Sequence, residues 1–433
     1  MTVSTAHADK GAKSLDVITI GRASVDLYGQ QIGTRLEDIG SFAKSVGGCP
    51  ANIAVGTARL GLKSALITRV GNEQMGRFIR EQLAREGVET AGIATDPERL
   101  TALVLLSVEA EGVSPMIFYR SDCADMALSE NDIDPALIAS ARAIVVTGTH
   151  FSRPHSEAAQ KKAIALAKAS GARVAFDIDY RPNLWGLAGH DAGFERYVAS
   201  DIVSQKYQSV LPDCDLIVGT EEEILIASGQ ADLLSALRTI RSLSSGTIVL
   251  KRGPMGCVVY DDAIPDDLEA GIVGKGFPIE VYNVLGAGDA FMSGWLRGWL
   301  TGESHATSAT WANACGAFAV SRLMCSPEYP SWTELSHFLA RGSSERALRK
   351  DAEVNHLHWA TNRRRAIPSL MALAIDHRSQ LEDMAAGEPF TSANLRAIRP
   401  GLGLAPKHAQ TLLGRRARQA IKRGTPLDWS LVE

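Results

Sequence analysis

Six cysteines in 433 residues stand singly, and none forms a CxxC pair. That excludes a disulfide framework and a cysteine-rich metal knot. The ten histidines show no HExxH and no paired metal spacing, which leaves no structural transition-metal site to expect. No apolar run approaches the roughly 20 residues of a membrane-spanning helix. The opening stretch MTVSTAHADKGAKS is polar and small and lacks the apolar core of a signal peptide, so a cytoplasmic location is the expectation. The net charge of -4 gives no footprint for a nucleic-acid partner. Internal repeats and low-complexity tracts are missing too.

What is present is an ordinary globular composition, 45% hydrophobic and 22% charged. Residues 15–21 (LDVITIG) and 65–71 (ALITRVG) read as buried strands around a helical pattern from Asn52 to Leu60, a β-α-β arrangement. TALVLLSV (101–108) and PMIFYR (115–120) read as two strands around the turn Glu109 to Ser114, a small sheet projecting from the main body. Further strands are predicted at Ala143–Thr147, Arg173–Asp177, Leu216–Val218 and Gly246–Lys251, with Gly256–Tyr260 as a hairpin partner. Helices are predicted near 156–170, near 221–241 and over roughly 289–324. This alternation predicts an α/β fold with a mainly parallel central sheet. Ligands in such sheets bind beyond the carboxyl ends of the strands. Asp26, Gly71, Thr147 to Thr149, Asp177, Thr220 and Lys251 all follow predicted strands and could share one cleft. After about residue 340 the composition turns polar and basic, and 341–365 reads as a linker.

Two glycine-rich runs carry the chemistry. The first is Val46-Gly47-Gly48-Cys49-Pro50-Ala51-Asn52, where paired glycines permit close backbone approach to a ligand and Asn52 can both donate to and accept from hydroxyls. Alone, it serves equally as a turn before a helix. The second is Asn283-Val284-Leu285-Gly286-Ala287-Gly288-Asp289, followed by an apolar helical pattern. Small residues at a helix start form an anion cradle, and a carboxylate beside it can take a proton from an alcohol. Alone, this too serves as a strand–helix turn with a favourable helix-start Asp. Walker A and protein-kinase signatures are absent, so any phosphoryl transfer needs this different cradle.

Together, Gly47-Gly48-x-x-x-Asn52 and Asn283-x-x-Gly286-Ala287-Gly288-Asp289 resemble the two signature motifs of the PfkB, or ribokinase-like, carbohydrate kinases. The resemblance covers about residues 15–340. It implies a three-layer α/β sandwich with a small β lid, the lid elements falling at about 28–46 and 99–121. It implies Asp289 as general base and the backbone of Gly286, Ala287 and Gly288 as anion hole. Asp26, Gly47, Gly48 and Asn52 fall where the family binds sugar hydroxyls. Thr220 and Glu223 fall on the family's Asn-x-x-Glu, which organises Mg²⁺ through water together with the ATP phosphates; an acidic helix start also has a structural reason of its own. Lys251, Gly253 and Gly256 resemble the nucleotide-side loop, and Asn313 lies where relatives contact the nucleotide. The family leaves room for a monovalent cation and for a homodimer.

Arg120, in Phe118-Tyr119-Arg120, and Arg181, in Asp177-Ile178-Asp179-Tyr180-Arg181, resemble elements of family members that take sugar acids. A guanidinium fork suits a carboxylate, although each arginine could equally make a surface salt bridge. Thr220 and Asn283 depart from the general family pattern but fit that sugar-acid subgroup. The leading expectation is an ATP- and Mg²⁺-dependent sugar-acid kinase. The alternatives are a kinase of another keto-aldonate or of a neutral sugar, and a non-catalytic sugar-binding regulator. In the tail, Leu370-Met371-Ala372-Leu373-Ala374-Ile375-Asp376-His377-Arg378 resembles the first strand of an aldolase-like barrel domain sometimes fused to such kinases. A barrel needs roughly 250 residues, so 366–433 is expected to be an incomplete segment, poorly packed and without activity.

Overall fold

The computed structural model describes residues 13–109, 115–361, 384–395, 403–404 and 406–433. The chain divides into two compact units, residues 1–365 and 366–433. Thirteen strands form in the first: β1 (Leu15–Ile20), β2 (Ser24–Gly29), β3 (Phe42–Gly47), β4 (Ser64–Gly71), β5 (Ile93–Asp96), β6 (Ala102–Leu106), β7 (Met116–Tyr119), β8 (Ala141–Thr147), β9 (Arg173–Asp177), β10 (Leu216–Thr220), β11 (Thr247–Lys251), β12 (Cys257–Tyr260) and β13 (Ile272–Gly274). Nine make one sheet in the order β13-β12-β11-β10-β9-β8-β1-β4-β5. It is parallel from β11 to β5, and β12 and β13 add an antiparallel edge.

The strands are apolar on both faces because both faces are covered. Ile18, Ile144, Val146, Val174, Phe176, Ile217 and Ile248 point into one core, with Ala159, Ala163, Tyr207 and Ile240 from covering helices. Their neighbours Val17, Ala143, Val145, Ala175, Leu216, Val218 and Val249 point into the other, against Phe291, Met292, Trp295 and Leu296. The chain leaves β1 for β4 on one side and later returns to β8 on the other. The carboxyl ends beside this switch are where an open α/β sheet has its crevice.

A second, small sheet runs in the order β3-β2-β6-β7. Its Val104, Leu106, Met116 and Phe118 pack with Leu285, Phe318 and Tyr329. The two long helices expected at 221–241 and 289–324 are each split. Gly229 and Gly302 adopt left-handed backbone and end the helices Glu221–Ser228 and Ala287–Thr301. New helices then start at Leu233 and His305, capped by Asp232 and Ser304.

The stretch expected to be a linker is largely folded into the first unit. Its helix Ala352–Thr361 buries Val354 and His358. His358 Nδ1 lies 3.1 Å from Glu334 Oε2 and 3.2 Å from Arg322 Nη1. This buried contact is polar, which is why an apolar pattern did not reveal it. In the second unit, the aldolase-like stretch 370–378 lies outside the described residues. The described part is better packed than expected. Met384, Phe390, Leu412, Ala417, Ile421, Leu427, Leu431 and Val432 bury one another. Ala417 and Ile421 supply apolar positions inside the basic run 414–423. Among the described residues no helix is long and apolar enough to cross a membrane.

Candidate active site

The parallel register aligns four strand ends. Thr147 pairs with Asp177, Asp177 with Val218, and Thr220 with Lys251. Beyond these ends lies a cavity of about 370 Å³. Its lining includes Arg181, Thr220, Glu223, Lys251, Gly253, Gly256, Gly286, Ala287, Gly288, Asp289 and Asn313, all singled out from the sequence. Asp26, Gly47, Gly48, Asn52 and Arg120 are not part of that lining.

The second glycine run forms the start of the helix Ala287–Thr301. Gly286 caps it with φ +75°, and a Cβ there would lie 2.6 Å from Tyr329 Oη and 2.5 Å from Cys325 Sγ. Tyr329 Oη donates to Gly286 O at 2.7 Å and so fixes the turn. The first N–H groups of a helix lack internal partners and can face an anion. Of the expected anion-hole donors, Ala287 N–H is already weakly engaged, to Val284 O at 3.4 Å.

Asp289 sits in the first turn of this helix. Asn52 Nδ2, from the other glycine run, donates to its Oδ2 at 2.8 Å. The two motifs therefore meet through one hydrogen bond. Burial, and next the nearby Asp179 charge, raise the Asp289 carboxyl to about 6, opposed by the Asn52 bond.

Lys251 is buried among carboxylates. Its Nζ lies 3.2 Å from Glu223 Oε2 and 3.5 Å from Asp177 Oδ1. Burial alone would depress its ammonium; Asp177 and Glu223 outweigh that and hold it above its ordinary value. Asp177 is pushed up to about 7 by burial, against the lowering effect of Lys251. A Cβ added at Gly288 would be 3.4 Å from Lys251 Nζ, so the ammonium borders the helix start. Thr220 and Glu223 form a reciprocal cap on the helix Glu221–Ser228: Glu223 N–H donates to Thr220 Oγ1 at 3.3 Å, and Thr220 N–H to Glu223 Oε2 at 2.8 Å. With Oε2 shared between that N–H and Lys251, Glu223 suits a hydrated cation better than direct ligation. Asn313 Nδ2 donates to Gly274 O at 3.0 Å.

On the small sheet, Asp26 in β2 is buried and accepts from Ser24 Oγ at 2.8 Å. Burial raises it to about 6. A Cβ on Gly47 would fall 1.9–2.2 Å from the Asp26 carboxylate, so only glycine fits beside it. Gly48 caps the helix Cys49–Arg59. Arg120 is fully enclosed and ion-paired to Asp125, with Nε and Nη1 unpartnered among the described residues. Burial, and then Arg22, lower its guanidinium to about 9. Arg181 Nε reaches Asp179 at 3.8 Å.

The sequence reading passed over Arg22 and Asp179, which form a buried ion pair. Asp179 is the one non-glycine residue with positive φ (+31°) among the described residues, and it lines the cavity. Backbone strain of this kind collects at functional sites. The available signal was Arg22 directly after the strand-ending Gly21, a charge where a buried strand had just stopped.

Residues 14–332 match the family described as pfkB family carbohydrate kinase. Residues 334–422 match a family described only as an uncharacterized protein conserved in bacteria, DUF2090. The chain is 31% identical to the 5-dehydro-2-deoxygluconokinase of Geobacillus kaustophilus, over 78% of this chain and 97% of that one. It is 30% identical to the enzyme of the same name from Lacticaseibacillus casei, over 77% and 98%. Among solved structures, the PfkB protein from Polaromonas sp. JS666 matches with TM-score 0.63 and 28% identity, covering 75% of this chain and 99% of that one. An uncharacterized sugar kinase from Pyrococcus horikoshii in complex with ATP matches with TM-score 0.61 and 25% identity, covering 73% and 96%.

Proposed function

The chain belongs to the pfkB family of carbohydrate kinases, and from that premise we propose that it transfers the terminal phosphoryl group of ATP to a hydroxyl of a sugar acid. The substrate in this reading is 5-dehydro-2-deoxygluconate, the product its 6-phosphate, and the setting myo-inositol breakdown. One observation carries the chemistry: Asp289, oriented by Asn52, stands in the same helix turn as the Gly286–Gly288 backbone and lines the cavity bordered by Lys251.

Asp289 takes the proton of the attacking hydroxyl. Raised to about 6, it is still ionised at neutral pH yet basic enough to accept that proton. The free helix-start N–H groups stabilise the charge on the transferred phosphoryl. Lys251 adds positive charge on the same side. The family implies Mg²⁺, and the donor set fits it: Glu223 and Asp177 present hard carboxylate oxygens at the cavity. These two would hold the hydrated ion, which supplies charge neutralisation on the phosphates. Gly253, Gly256 and Asn313 form the nucleotide side. Asp26, Gly47 and Asn52 receive the sugar hydroxyls. Arg181 at the cavity pairs with the substrate carboxylate, and Arg120 offers its unpartnered hydrogens from the lid.

The test is ADP release over a panel of sugar acids and neutral sugars, with the phosphorylated position fixed by NMR. Faster turnover of fructose than of any keto-aldonate would overturn the acidic-substrate reading.

A further inference from the structure

Cys49 has no part in the chemistry above, yet its thiol lies against Asp177, a residue of the cavity lining. It comes from the first turn of the helix Cys49–Arg59, and the side chain is buried. Its Sγ is 3.5 Å from Asp177 Oδ2. Donor atoms of Cys49, Asp177 and Asp289 all lie within 4.8 Å of one another, although the three residues come from distant segments. Tetrahedral zinc with one sulfur and two oxygen ligands sets its donors roughly 3.4–3.6 Å apart. The Cys49–Asp177 pair already has that spacing, and Asp289 needs a shift of little more than ~1 Å.

Each carboxylate has one oxygen held by another residue, and the second oxygen of Asp177 accepts only from the Cys49 thiol itself, a bond that a metal ion would replace. Lys251 takes Asp177 Oδ1, and Asn52 takes Asp289 Oδ2. Asn52 lies one turn beyond Cys49 on the same helix, and its own buried Oδ1 has no partner among the described residues. A buried amide oxygen without a partner costs free energy until something meets it, and the same amide is already joined to the cluster through Nδ2 on Asp289. The mixed sulfur and oxygen set selects among cations. Mg²⁺ demands oxygen ligands and keeps its waters, whereas Zn²⁺ accepts thiolate and carboxylate together. Lys251 stands between Glu223 and Asp177, so with Asp289 three carboxylates share one ammonium, and with the thiolate they leave negative charge to meet a divalent ion.

We propose that Cys49, Asp177 and Asp289 bind one thiophilic divalent cation, of the Zn²⁺ class, and that this ion shuts off the site by occupying the carboxylate that receives the substrate proton. Cys49 binds as thiolate and its proton leaves to solvent. The inhibitory half rests on the kinase reading above; the binding half does not.

The test uses the full chain. One equivalent of Cd²⁺ is added as a spectroscopic substitute for Zn²⁺, and the ultraviolet thiolate-to-cadmium band is recorded for wild type, Cys49→Ala and the isosteric Cys49→Ser. ADP release in Mg-ATP is then measured against buffered free Zn²⁺. The expected result is a band in wild type that is lost in both variants. Both variants keep their zinc-free turnover in Mg-ATP, and the half-inhibitory Zn²⁺ concentration rises at least tenfold. A band that is absent in wild type or unchanged in the variants overturns the site. Equal Zn²⁺ sensitivity in wild type and variants overturns the inhibition. If no sugar is turned over at all, the kinase reading fails while the cadmium band still decides the ion site.

Discussion

Replacing Asp289 by Asn changes one atom and separates three roles of that residue. The amide keeps the shape and still meets Asn52, which lies 2.8 Å from the native carboxylate. It cannot take a proton. A positioned base contributes a factor of ~10²–10⁴, which is about 3–5 kcal/mol of barrier at ~1.4 kcal/mol per decade. Turnover should fall by that factor while calorimetric affinity for the sugar changes less than about threefold. The native pH profile should lose activity tenfold per unit below about pH 6, as the carboxyl protonates. In Asp289→Asn its share of that limb should vanish, leaving the titrations of Asp26 and Asp177. Stability supplies an independent check. The folded carboxyl is raised above its ordinary 3.8, so folding favours the protonated form. Its stabilising contribution is complete below about pH 4 and is lost as pH rises through about 6. At pH 8 the variant should therefore be the more stable protein. Two pH units are worth at most ~3 kcal/mol, less here because the side chain opens on the cavity. The assays are coupled ADP release from pH 5 to 8 and chemical unfolding at pH 4 and 8. Turnover within tenfold of wild type would refute the base assignment. A variant less stable at pH 8 would refute the account of the raised carboxyl.

Asn52→Leu removes the bond that favours the ionised carboxylate, so the acid limb of kcat should move above pH 6, and a limb that stays or falls would contradict this. Tyr329→Phe deletes the donor to Gly286 O; kcat should drop about fivefold at ~1 kcal/mol of positioning, with KM for ATP and sugar nearly unchanged, and equal kcat would show the turn holds without it. Gly47→Ala places a methyl inside contact distance of the Asp26 carboxylate; KM for the sugar should rise at least tenfold and stability fall by ~1–3 kcal/mol, measured by steady-state kinetics and urea unfolding. Lys251→Met leaves Asp177 and Glu223 buried without a counter-charge; the protein should lose ~3–5 kcal/mol at pH 8 and regain part of it on acidification, as those carboxyls protonate, and a loss independent of pH would exclude this cause.

The sequence disclosed those parts of the site that are made locally. Gly286-Ala287-Gly288-Asp289 is a helix start built from consecutive residues, so its geometry is written in its spacing. Thr220 and Glu223 are also local, three apart at a helix cap, as the structure shows. The strand-end rule placed Asp177, Thr220 and Lys251 near one another before any register was known. Where glycine punctuates a helical pattern, at Gly229 and Gly302, the signal was present, but the apolar period ran across it. The Arg322–Glu334–His358 cluster has no such signal, because a buried polar contact looks like a solvated face.

The arginines mark the boundary between what is local and what is not. Arg120 was read as a carboxylate ligand from the residues around it, yet in the folded chain it is enclosed and paired with Asp125, five residues on. Arg22 and Asp179 escaped notice, yet they pair in the interior, and Asp179 bends the backbone into the left-handed region beside the cavity. Arg22 and Arg181 therefore stand against Asp179, and Arg120 against Asp125, and of the three only Arg181 lines the cavity. On the acidic-substrate reading proposed above, a substrate carboxylate would have to compete with those aspartates for the guanidinium groups. Selectivity for an acidic sugar then depends on how many guanidinium hydrogens the pocket leaves exposed to it, a number set by pairing across the fold and not by the count of arginines in the motif.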